Sequence, residues 1–149
     1  MSKIILDKTL KYTLKSYSFD NLSLSICETI FKDGRIFSHF IEKWLDNTFE
    51  ELTWVGGCKS YDFIDNEGNK YDEKTFTKGG CKYMPSKMIG AGRKFNKEDF
   101  LEKANNLIYI IVDNTNFPEI KIKFKKGSDL IKKYPRGNIS KNKRTEFFN

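Results

Sequence analysis

The chain has 149 residues, 32% of them charged, and a formal net charge of +7. That length predicts one domain, 1–149, with a core of its own, and no apolar run is long enough to predict a membrane span. Cys27, Cys58 and Cys81 are odd in number and form no CxxC, so a disulfide framework and a zinc site are set aside and the thiols read as reduced and cytosolic.

Residues 1–34 read as an N-terminal helical arm. The opening MSKIILDKTLK is too short and interrupted for a signal peptide. Leu6, Leu10, Leu14 and Tyr17 recur at helical spacing, which predicts a helix or an irregular arm over 1–20. Asp20 or Asn21 would cap a second helix over 22–31, stopped at Asp33-Gly34. The pairs Ile36-Phe37, Phe40-Ile41 and Trp44-Leu45 then recur every four residues. They predict an amphipathic helix over about 35–48 whose apolar stripe covers one face of a sheet. His39, the only histidine, lies on that helix and reads as a surface or structural residue.

Leu52-Thr53-Trp54-Val55 reads as a first strand, ended by Gly56-Gly57. Residues 61–74, YDFIDNEGNKYDEK, read as a β-hairpin. Asn66-Glu67-Gly68 suits a three-residue loop closed by Gly68 in the left-handed region. In that register Asp65 faces Asn69, Phe63 faces Tyr71, and Asp62 faces Asp72. Asp62 and Asp72 then share a face, their Cα atoms roughly 4.5–5.5 Å apart. Lys74 points the same way two residues on. Two opposed carboxylates repel and weaken a sheet. A cation between them reverses the sign, and the lysine adds a donor for a water or a developing oxyanion. That is the chemistry of a Mg²⁺-dependent phosphodiesterase.

Asp62, followed ten residues later by Asp72-Glu73-Lys74, resembles the active-site signature of the PD-(D/E)XK nuclease superfamily. Tyr61 stands where the superfamily has proline, and the second acid is Asp. The spacing, the Asp-Asn-x-Gly turn and Thr77-Lys78-Gly79 are most similar to the small PvuII-type restriction endonucleases. The resemblance covers about residues 35–112. It implies an α/β fold: a restriction-endonuclease-like three-layer core with a mixed central sheet flanked by helices, in the order α-β-β-β-α-β. It also implies that Asp62 and Asp72 bind one or two Mg²⁺ with the Glu73 backbone carbonyl as a further oxygen ligand. Lys74 would complete the catalytic set. Glu73 points its side chain to the opposite face and is not counted as a ligand. Glu42 is either a solvated helix residue or an accessory acid. A single histidine leaves little room for the histidine-dependent nuclease chemistries.

Residues 78–94, KGGCKYMPSKMIGAGRK, carry Lys78, Lys82, Lys87, Arg93 and Lys94 without one acid. They read either as a flexible surface loop or as a nucleic-acid contact, because glycines admit close backbone approach and cations suit phosphate. The resemblance implies base-edge contacts from Lys82, Tyr83 and Ser86. Asn96 caps a helix running to about residue 106, with Phe95 stapled on Phe100. Residues 107–112 are apolar throughout, as in a strand buried on both faces.

Residues 119–149 read as a basic strand and a C-terminal tail. Over 119–125 apolar and basic residues alternate, predicting an exposed edge strand whose lysines prevent aggregation or touch phosphate. Residues 128–134 read as a short helix. The tail from Arg136 reads as mobile, with Phe147 and Phe148 free to dock.

Charge is uneven. Residues 1–74 hold 10 Lys/Arg against 13 Asp/Glu, and residues 75–149 hold 17 against 7. An acid pair beside a basic half suits an enzyme that attracts a polyanion yet keeps carboxylates for a metal. The expectation is a Mg²⁺-dependent, sequence-specific duplex DNA endonuclease of type II restriction kind. It would act as a cytoplasmic homodimer, bacterial or phage-encoded, with no membrane partner. The alternative is a structure-selective nuclease, such as a junction resolvase or repair endonuclease, on the same core.

Overall fold

Two apolar patterns alternate along the strands of this chain, and each turns to its own set of helices. The computed structural model describes residues 2–15, 17–57 and 60–149. Strand β1 (Thr9–Thr13) precedes helices α1 (Leu24–Phe31) and α2 (Gly34–Thr48). Strands β2 (Thr53–Trp54), β3 (Phe63–Ile64), β4 (Lys70–Phe76) and β5 (Cys81–Lys82) follow. Then come helix α3 (Lys97–Asn105), strands β6 (Ile108–Asp113) and β7 (Glu119–Lys126), and helix α4 (Gly127–Lys133). Strand β8 (Asn138–Ile139) and the short helix α5 (Arg144–Phe147) complete the order.

Six strands form one mixed sheet in the order β1-β7-β6-β4-β3-β2. β2, β3 and β4 are mutually antiparallel, β4 and β6 are parallel, and β7 returns antiparallel to β6. The parallel step needs a crossover, and α3 lies within it. β5 and β8 make a separate two-stranded sheet.

β6 shows why both faces are covered. Ile110 and Val112 pack with Phe37, Ile41 and Leu45 of α2, while Tyr109 and Ile111 pack with Phe100 and Ala104 of α3. A strand alternates its side chains between faces, so a strand buried twice reads as an unbroken apolar run. The α2 stripe is a strict four-residue repeat of fully buried side chains. Each contributes about 1.5–3 kcal/mol by leaving water. Asp33 sets the start of α2: its carboxylate accepts from the Arg35 and Ile36 backbone N–H groups. The structure is therefore α/β, with a mixed sheet flanked by helices.

The ends of the chain depart from expectation. The arm over 1–20 holds strand β1, paired antiparallel with β7, in place of a helix. Leu10, Tyr12 and Leu14 all pack on the α2-side core. A four-residue spacing of leucines is also an even spacing, so it fits one face of a strand as well as a helix. Helix α1 begins at Leu24 with Ser23 as its cap, not Asp20 or Asn21.

Strand β7 is not the exposed edge that its alternation predicts, because β1 covers it. Two of its lysines are engaged: Lys123 donates to the Phe147 carbonyl at 2.7 Å, and Lys125 pairs with Asp7 at 2.8 Å. The tail packs on the body of the fold. Ile139 pairs with Cys81, and Arg144 binds the buried Asp113 carboxylate at 2.6 Å. Phe147 and Phe148 are buried against Phe76, so they do dock. Cys27 and Cys81 are buried free thiols, and Cys58 lies outside the described residues. Among the described residues no helix is long and apolar enough to cross a membrane.

Candidate functional site

The site starts from the turn that joins β3 to β4. Asp65 organises it: one carboxylate oxygen accepts from the Glu67 and Asn69 backbone N–H groups, the other from the Tyr71 hydroxyl at 2.8 Å. Gly68 closes the loop at φ +83°, where a glycine is unstrained. Phe63 faces Tyr71 and the Asp65 N–H donates to the Asn69 carbonyl, as the sequence predicts; the expected Asp62–Asp72 pair is not part of the ladder, because the Asp62 N–H goes to the Tyr71 carbonyl.

Beyond Phe63 the two strands part. Asp62 still donates its N–H to the Tyr71 carbonyl at 2.8 Å. The next outward N–H of β4, on Glu73, has no strand beside it. A buried N–H without a partner is costly. The Asp62 carboxylate fills the gap, accepting that N–H at 2.8 Å through Oδ2. The Asp62 side chain also lies against the Asp72 carboxyl, within hydrogen-bonding reach of it.

Asp72 and Lys74 lie on the same face of β4, with Lys74 Nζ 3.4 Å from Asp72 Oδ2. Both side chains are mostly buried. Burial pushes the Asp72 carboxyl up to about 7; Lys74 opposes that shift and Asp62 adds to it. Asp62, Asp72 and Lys74 are thus brought together as the spacing predicts.

Glu73 turns to the α2 face, also as predicted. It is buried, accepts from the Thr75 hydroxyl at 3.0 Å, and is held well above the usual carboxyl range by its burial. Glu42 is not a solvated helix residue. It is half-buried, accepts from the Trp54 indole at 3.3 Å, and is raised first by burial and then by Asp62. His39 is exposed on α2.

Two cavities meet at the acid pair. One, of about 320 Å³, opens on the α3 side and reaches Tyr83, Lys87, Lys103 and Tyr109. The other, of about 590 Å³, opens on the α2 side and reaches Arg35, Glu42, Glu73 and Lys82. Asp62, Asp72, Lys74 and Ser86 line both.

The basic segment splits. Lys82, Ser86 and Lys87 are exposed at the cavity walls. Lys78, Arg93 and Lys94 are exposed away from them, and Arg93 donates to the Ser86 carbonyl at 2.7 Å. Tyr83 is a correction. It is not a base-reading residue on a loop but a fully buried core side chain. Its ring packs on Phe100 and Tyr109, and its hydroxyl donates to the Tyr134 carbonyl. In sequence, an aromatic among cations reads as a nucleic-acid contact. Here Cys81 and Tyr83 face inward and Lys82 between them faces outward, the alternation of an extended chain.

Lys103, Tyr109 and Arg35 were not among the expected site residues. The missing signal for Tyr109 was the parallel register, which sets it opposite Asp72. Among the described residues no group of three or more His, Cys, Asp or Glu side chains is gathered as a metal-binding set. What the site offers is smaller: two carboxylates, those of Asp62 and Asp72, set against each other. That donor set fits Mg²⁺, which takes one or two carboxylates and keeps much of its water. Comparison with known proteins finds no match: no family model, no curated protein and no solved structure.

Proposed function

We propose that this protein is a Mg²⁺-dependent endonuclease that cuts duplex DNA at a defined sequence. The observation that carries the reading is the meeting of Asp62, Asp72 and Lys74 where β3 leaves β4. The topology supports it. α2, the antiparallel strands β2, β3 and β4, then α3 and the parallel strand β6 follow the α-β-β-β-α-β order of the restriction-endonuclease-like core.

Asp62 and Asp72 would hold the ion, with the Glu73 carbonyl as a further ligand. When bound, it supplies positive charge between the acids and at the phosphate oxygens. The chain's own residues do the rest. Water attacks phosphorus in line and gives up one proton to solvent, while the bond to the departing sugar oxygen breaks and that oxygen takes up a proton from solvent. Lys74 orients the water and donates to the phosphate oxygens as charge builds on them. The basic half of the chain draws the polyanion in. Exposed Lys82, Ser86 and Lys87 meet the strand at the cavity walls, while Lys78, Arg93 and Lys94 meet the backbone further out. A two-fold duplex site needs one acid pair per strand, so the working form is a homodimer.

A structure-selective nuclease is the second reading. The burial of Tyr83 and Met88 favours it, because it takes part of residues 78–94 out of reach of base edges. Incubation with plasmid, linear duplex and four-way junctions in Mg²⁺, with the ends mapped, tests both. Discrete fragments from linear duplex support the sequence-specific reading. Junctions cut in symmetric pairs beside intact duplex support the second. No cleavage of any substrate overturns both.

A further inference from the structure

We propose that the α3-side cavity is a second phosphate subsite, in which the Lys103 ammonium and the Tyr109 hydroxyl hold the nucleotide next to the one being cut. The proposal rests on the phosphodiester-cleaving reading of Asp62, Asp72 and Lys74, and it extends that site along one strand.

Tyr109 is the first observation. It sits on β6 opposite Asp72, and its side chain is 1% exposed. Packing against Tyr83, at 5.2 Å between ring centroids, fixes its direction. A buried phenol ordinarily finds a hydrogen-bond partner. Among the described residues the Tyr109 hydroxyl has none. Nor is it sealed in, since the sealed, unpartnered side-chain oxygens are those of Thr9 and Tyr134. The ring lines the 320 Å³ cavity, and its hydroxyl is left for whatever enters there.

Lys103 is the second. It is half-buried on α3 at the same cavity, and no carboxylate pairs with it among the described residues. Lys87, on the same wall, is paired with Asp99 at 3.5 Å. Holding an ammonium partly out of water without a counter-charge is unfavourable unless an anion arrives. The cavity's own acids do not serve, because among the described residues neither Asp62 nor Asp72 lies within ion-pair distance of Lys103, and Asp72 is paired with Lys74.

An unpaired cation and an unpaired neutral donor on the wall beyond an acid pair select a phosphate over a metal or a cation. The volume has room for one nucleotide rather than for a duplex. A phosphate held there belongs to the strand whose neighbouring phosphate lies over Asp62 and Asp72.

The test is a salt titration of fluorescein-labelled duplex binding in EDTA, where nothing is cut. It compares the wild type with Lys103→Ala, Lys103→Arg and Tyr109→Phe. Lys103→Ala should weaken binding about tenfold and flatten the log–log salt slope by about 0.9. Lys103→Arg should restore the slope, because it restores the charge. Tyr109→Phe keeps the ring packing and should weaken binding with the slope unchanged. Wild-type affinity and slope in both Lys103→Ala and Tyr109→Phe would overturn the subsite. The parent reading has its own readout, cleavage in Mg²⁺ by the wild type and its loss in Lys74→Ala. The subsite can therefore fail while that reading stands.

Discussion

The Asp62 carboxylate accepts the Glu73 backbone N–H at 2.8 Å, across the point where β3 parts from β4. One side chain therefore completes the sheet and at the same time lies against the Asp72 carboxyl. Asp62→Asn keeps an acceptor for that N–H and removes a charge beside Asp72. In EDTA it should melt at or above the wild-type temperature, yet cut nothing in Mg²⁺. Asp62→Ala leaves the N–H unpaired and should cost about 1–3 kcal/mol. Thermal melts of both variants check this; equal destabilisation by both would contradict it.

Lys74→Ala should lower the cleavage rate by about 10²–10³, the scale on which a donor to a developing oxyanion acts. Duplex binding should remain within a few-fold of wild type. Rate and affinity measured on the same preparation decide it: a near-normal rate removes Lys74 from catalysis.

The metal-free protein should lose stability as pH rises from about 4 to about 7. The Asp72 carboxyl is raised to about 7 in the fold, against about 3.9 unfolded. Across that window the folded state holds a proton that the unfolded chain has released. The resulting stability is therefore present at low pH and is lost as pH climbs. Glu73 is raised too and acts with the same sign. Urea melts at several pH values should show a shallower slope in Asp72→Asn. Saturating Mg²⁺ should flatten the wild-type slope, because the ion favours the ionised pair.

Arg144→Ala should destabilise the fold by about 3 kcal/mol, since it strands the buried Asp113 carboxylate. Among the described residues, Asp113 then keeps the Thr115 N–H and hydroxyl as its hydrogen-bond donors. Asp113→Asn combined with Arg144→Ala should recover part of the loss, because no buried charge is left unpaired. Chemical denaturation of the three variants measures the coupling.

The centre of the chain was legible and the ends were not. The hairpin register followed from Gly68 and from the Phe63–Tyr71 pairing, both local features. The α2 stripe and the Asn96 cap of α3 were local too, and Asn96 does accept the Asp99 N–H at 3.1 Å. β1 was missed because Leu6, Leu10 and Leu14 satisfy two periodicities, and only its partner β7 decides between them. Tyr83 was misplaced for a related reason: its burial depends on Tyr134 and Phe100, distant in sequence. At the site, Asp62, Asp72 and Lys74 were readable because one hairpin carries all three. Lys103 and Tyr109 arrive by the parallel crossover, which no short-range pattern encodes.

The pairing of β5 with β8 sets an order of events during synthesis. The Gly137 carbonyl accepts from the backbone N–H groups of both Tyr83 and Met84, and the Tyr134 carbonyl accepts from the Tyr83 hydroxyl. The cavity wall at Tyr83 is thus held by a segment that leaves the ribosome long after the hairpin bearing Asp62 and Asp72. A nascent chain carries both acids well before the segment that holds the wall beside them has been made.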